Sequence, residues 1–153
     1  MTIDHTMRRL APYVLSILRI AVALLFLEHG TSRLFGFPSA LPTPPAFTIY
    51  WFAGVIEFVG GLLMLTGLFA RPAAFVMSGE MAFAYFLSHF PRGSFPILNH
   101  GDDAVLYCFV FFYIAFAGAG PWSLDAWLKR RRLQDASTQA DFSPGAAAVH
   151  SRR

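Results

Sequence analysis

The sequence predicts an all-α integral membrane protein, a four-helix bundle with both termini on the cytoplasmic side. Three observations lead there: four apolar runs of membrane-spanning length, a shortage of solvating residues, and an uneven distribution of basic side chains. The runs cover residues 12–30, 47–70, 72–90 and 103–122. Each is about 19 to 24 residues, enough at about 1.5 Å per residue to cross a hydrocarbon core of about 30 Å. Of 153 residues, 56% are hydrophobic and 14% charged, and the mean hydropathy is +0.50. Soluble domains carry about 25% charged residues, and one of this length cannot bury so much apolar surface.

Residues 1–11 form a basic cytoplasmic lead, and residues 12–128 hold the four-span domain. The first run is not a cleavable leader, because it carries Arg19 and Glu28, lacks a small-residue cleavage site and is followed by three more spans. The segment "GFPSALPTPPAF" (36–47) must be an irregular outer loop, since proline at that density excludes a helix. "ARP" (70–72) is a tight inner turn with Pro72 suited to the first turn of the third span. The outer loop "PRGSFPILNHGDD" (91–103) is expected to pack over the helix ends by burying Ile97 and Leu98. "GPWSLDAWLKRRR" closes the fourth span as an amphipathic stub, with Trp122 and Trp127 at headgroup level. Residues 129–153 are expected to be a basic, disordered cytoplasmic tail.

With the N-terminus inside, nine lysines and arginines (8, 9, 71, 129–132, 152 and 153) lie on the cytoplasmic face and two, Arg33 and Arg92, on the outer face. That bias obeys the positive-inside rule. The pI of about 9.4 then reports topology and contact with anionic lipid, and no recognition motif points to nucleic acid. The expected partners are the lipid bilayer and a protein partner or second copy of the chain. The single cysteine, Cys108, cannot cycle through an internal disulfide and reads as a small packed residue.

Arg19, Glu57 and Glu80 lie inside spans, where each costs roughly 2.5–3.5 kcal/mol unless it faces the bundle. Gly54, Glu57, Gly61 and Met64 recur at helical spacing, so Glu57 sits on a small-residue stripe that another helix can approach. Ser16, Arg19 and Ala23 share a face in the same way. Arg19 is expected to pair with one acid and leave the other free to handle protons. A pair that merely fixes helix register is the alternative.

A second cluster gathers at the outer boundary: Glu28, His29, His89, Asn99, His100, Asp102 and Asp103. Its directions are untidy, because at about 100° per residue His89 points opposite to Glu80. Imidazoles and carboxylates can ligate zinc, copper or iron, but no two histidines have i, i+3 or i+4 spacing, which disfavours a metal site. A quinone pocket needs an apolar slot and one or two donors for ring oxygens. Phe83, Tyr85, Phe86, Tyr107, Phe111 and Tyr113 suit such a slot, and equally suit lipid-facing filler.

The stretches "RIAVALLFLEHGTSRLFGF", "GVIEFVGGLLMLTGLFARPAAF", "GEMAFAYFLSHFPRG" and "LNHGDDAVLYCFVFFYIAFAGAGPWSLD" resemble the DoxX family of small four-helix bacterial membrane proteins. The likeness covers residues 14–128 and departs from the family pattern at 99–102, where Asn-His-Gly-Asp stands for the usual Asn-Gly-Gly-Glu, and at Arg33 for the usual Lys. It implies a bacterial inner-membrane location and a link to quinone-dependent oxidoreductases. On that basis Arg19, Glu57 and Glu80 are the expected catalytic residues, with His29, His89, Asn99 and Asp102 as substrate ligands. A quinone is the candidate cofactor. No CxxCH, cysteine pair or nucleotide-binding glycine motif supplies an electron carrier, so a non-catalytic membrane partner or permease component stands as the alternative.

Overall fold

The computed structural model describes residues 2–39 and 42–141, and every regular element among them is helical. Helix α1 runs Thr2–Phe35, so the basic lead is the first part of the helix that carries the first span. Pro12 lies inside it, and the Ser16 hydroxyl donates to the Pro12 carbonyl at 3.2 Å. Helix α2, Ile49–Thr66, starts at Thr48, whose hydroxyl accepts the Trp51 N–H, and stops at Gly67 in the left-handed region. Helix α3, Ala70–Ala84, continues into a π turn, Tyr85–His89, and a 3-10 turn, Phe90–Arg92. The short α4 (Pro96–Asn99) precedes α5 (Asp102–Ala117), and α6 covers Leu124–Asp141.

Two boundaries differ from expectation. The fourth run reaches residue 122, but its helix ends at Ala117, because Gly118 and Gly120 take positive φ values of 95° and 75° and turn the chain back. The disordered tail is corrected for 129–141, which are helical; residues 142–153 lie outside the described residues. Leu, Lys, Arg, Gln and Ala are good helix formers. Arg131 stacks 4.1 Å over the Trp127 ring, adding a contact one turn apart.

Helices α1, α2, α3 and α5 share one core, with Phe26, Met64, Met77, Met81, Phe111 and Ile114 at its centre. The Phe26 and Phe111 rings meet edge to face at 4.8 Å. Helix α1 packs on α2, α2 on α3, and α3 on α5. Glycine allows the closest approach: a Cβ on Gly30 would stand 2.5 Å from the Phe58 backbone nitrogen. The polarity is inverted relative to a water-soluble domain. Ser16, Arg19, Glu57 and Asn99 are fully buried, while Phe75, Leu106, Phe109 and Phe116 are more than 60% exposed. Helices α1 and α2 are each long and apolar enough to cross a membrane.

One end of the core is closed by Arg19. Its guanidinium donates to the carbonyls of Ala119 and Leu65 at 2.9 Å, of Trp122 at 2.5 Å, and of Met64. Helices α2 and α5 both stop at glycine breaks here, leaving carbonyls that a five-donor fork can satisfy. The Asp125 carboxylate accepts the N–H groups of Phe69 and Ala70 at 3.0 Å and so caps α3, and Arg71 donates to the Phe116 carbonyl at 2.8 Å. The expected Arg19–acid pair is therefore corrected: the partners of Arg19 are backbone carbonyls in the last turn of α2 and in the segment after α5.

Candidate functional site

The other end of the core holds the acids. Glu57 projects from the buried Gly54–Gly61 stripe of α2, its side chain 1% exposed, and Arg33 of α1 brings Nε to 3.3 Å from its carboxylate. Both Glu57 oxygens are buried without a hydrogen-bond partner, so the pair is held by charge and not by aligned donors. Glu80 of α3 likewise has a buried, unpartnered oxygen, Oε2. Such groups cost about 1–3 kcal/mol each when nothing satisfies them.

Two cavities flank these side chains. A polar one of about 220 Å³ lies between α1, α3 and α5, where His29, Arg33, Glu57, His89, His100 and Asp103 line it beside Phe26 and Tyr107. A mainly apolar groove of about 380 Å³ lies between α2 and α3, with Arg33, Glu80, Ser88 and His89 among residues such as Phe52, Ile56, Val76 and Phe83. Arg33, Ala84 and His89 border both spaces.

His89 reaches this position through the π turn. A π turn rotates the chain less per residue than an α turn, which changes the direction expected of His89, and His89 and Glu80 both border the groove. The His89 ring is fixed by Nδ1, 3.1 Å from the Asn99 carbonyl, and the His29 ring by Nδ1, 2.9 Å from the Leu25 carbonyl. A carbonyl can only accept, so Nδ1 carries the proton in each and Nε2 is left as the acceptor.

The expected site residues divide. Glu57, His29 and His89 meet at the polar cavity, and Glu80 joins His89 at the groove. Arg19 stands at the opposite end of the core, outside this site. Asn99 is buried and its amide is engaged in the loop, donating to the Gly93 carbonyl at 2.6 Å and accepting from the Gly101 N–H at 2.8 Å, so it builds the loop, and its backbone carbonyl positions His89. Asp102 is exposed at the start of α5 and lines neither cavity; Asp103, one residue on, lines the polar one. Ile97 and Leu98 are 76% and 70% exposed, so Asn99 and not that apolar pair anchors the loop. Arg33 was missed as a site residue, although it lies four residues after His29 on one helix face. Among the described residues no three His, Cys, Asp or Glu side chains are grouped as metal ligands.

Residues 14–90 match the DoxX family. An uncharacterized protein from Haemophilus influenzae is 42% identical over 130 residues, covering 79% of this chain and 95% of its own length. The chain belongs to the DoxX family. The DoxX match contains Glu57, Glu80, Arg33, His29 and His89, whereas Asn99, His100 and Asp103 lie beyond it. No solved structure matches the chain. This DoxX protein is a membrane protein whose exposed apolar side chains are suited to lipid.

Proposed function

We propose that this DoxX protein spans the bacterial inner membrane four times, with both termini cytoplasmic, and binds a quinone-type ring at its outer end as a membrane subunit of a redox system. The α2–α3 groove carries this reading: an apolar slot of about 380 Å³ in which Arg33 and His89 stand beside a Glu80 oxygen that has no partner. A quinone ring is flat and apolar, with carbonyl oxygens that accept hydrogen bonds, and such a slot suits it. Arg33 supplies donors. His89 offers Nε2 to a hydroxyl of the reduced ring, and Glu80 and Glu57 can hold the protons that accompany reduction. The electrons come from another molecule.

A tailless quinone analogue should bind the detergent-solubilised chain at micromolar levels. Glu80→Gln and Arg33→Gln should each weaken binding about tenfold or more, about 1.4 kcal/mol, with helical content unchanged. No binding, together with loss of a co-purifying chain when His29 or Asp103 is replaced, would favour the non-catalytic partner role.

A further inference from the structure

Glu57 and Glu80 stand on two sides of one partition. Glu57 faces the polar cavity, whose His29, His100 and Asp103 are exposed. Glu80 faces the groove, where Phe52, Val76 and Phe83 are exposed apolar side chains. Arg33, Ala84 and His89 border both spaces.

We infer that this partition is a proton relay, joining water at the loop end of the molecule to the lipid-facing groove. Glu57 exchanges protons through the polar cavity, and Glu80 exchanges them with the occupant of the groove. The inference rests on the binding site proposed above but does not require the occupant to be a quinone.

A pair serving only to hold helices in register needs Arg33 and Glu57 and nothing more. It gives Glu57 Oε2 an ionic partner but leaves Glu57 Oε1 and Glu80 Oε2 with no hydrogen bond, and buried polar atoms are otherwise almost always satisfied. In the relay they are the atoms that gain and lose the proton. Arg33 of α1 stands 3.3 Å from the Glu57 carboxylate, His29 of α1 lines the same cavity, and Glu80 of α3 is near enough for its charge to act on that of Glu57. His89 of the π turn and Tyr107, Asp103 and His100 complete the wall. A proton entering on Glu57 leaves for Glu80, so one O–H bond breaks as another forms. The Glu57 carboxylate left behind faces the Arg33 guanidinium 3.3 Å away. A water molecule or Nε2 of His89 can carry the proton between them.

Carbodiimides add to protonated carboxyl groups, so a lipid-soluble and a charged reagent report the two entrances separately in vesicles holding the full chain. The lipid-soluble reagent should modify Glu80, and the charged one, added on the loop side, should modify Glu57. Gly79 lines the groove and a Cβ there would meet nothing within 4 Å, so Gly79→Leu starts its side chain in open space. It should lower Glu80 labelling at least tenfold and leave Glu57 labelling unchanged. The carboxyl infrared band that disappears in Glu80→Gln should respond to a loop-side pH jump, and at least tenfold more slowly in Glu57→Gln. Failure of the charged reagent to reach Glu57 from either side, or an unchanged response in Glu57→Gln, would overturn the relay. Two-entrance labelling with the slowed response, in a chain that binds no quinone, would overturn the quinone and keep the relay.

Discussion

Arg19 and Arg33 lie fourteen residues apart on α1, about 21 Å along the axis and within about 40° of the same direction. Both therefore enter the core, at opposite ends, and meet different partners. At Arg19's end two helices stop, and carbonyls of the last turn of α2 and of the segment after α5 take up its donors. At Arg33's end the guanidinium meets a side chain instead, the Glu57 carboxylate of α2 at 3.3 Å. Arg19→Leu should lower stability by on the order of 3 kcal/mol or more, because several buried carbonyls lose a charged donor at once. Arg19→Lys should restore only part of this, since an ammonium cannot reproduce the planar fork. Thermal unfolding in detergent checks both, and an Arg19→Leu chain as stable as the parent would refute the role. Glu57's burial was legible, because Gly54 and Gly61 mark its stripe. Its partner was not, because the distance between two helices' side chains is absent from either helix's pattern.

At the scale of elements, helix ends position the site. Helix α3 begins at Phe69, itself at positive φ with no side-chain cap of its own, and takes its cap from Asp125, 55 residues after Ala70. Asp125→Ala should cost about 0.5–2 kcal/mol. It should also increase hydrogen exchange at the start of α3 before it affects the acids' end, and uniform exchange along α3 would contradict the local cap. The other end of α3 widens into the π turn that aims His89. Nothing in "EMAFAYFLSHF" announces that turn, since its residues have ordinary helix character. The loop explains it: Asn99 holds the His89 ring and Tyr85 donates to the Ser94 carbonyl at 3.4 Å, so contacts from outside the helix set its pitch.

For the whole molecule, the proposed topology places Ser94 outside and Ser137 in the cytoplasm. In a Cys108→Ser background, an impermeant maleimide should label Ser94→Cys in intact cells, and Ser137→Cys only after the membrane is opened. The reverse pattern would invert the orientation, and with it the side from which the polar cavity draws protons. Labelling of both positions in intact cells would contradict the single crossing by α5 between them.

The sequence by itself determined the all-α class, the helices' approximate positions, the family, and the burial of Arg19 and Glu57, because composition and 3.6-residue periodicity are local properties of a chain. Only the tertiary structure decided that Arg33 and not Arg19 meets Glu57, that Asp103 and not Asp102 lines the cavity, and that His89 and Glu80 border one groove. Those outcomes depend on where one helix stops relative to another and on how a loop bends a helix end. Shifting either by one residue rotates a side chain by about 100° and would exchange one partner for another.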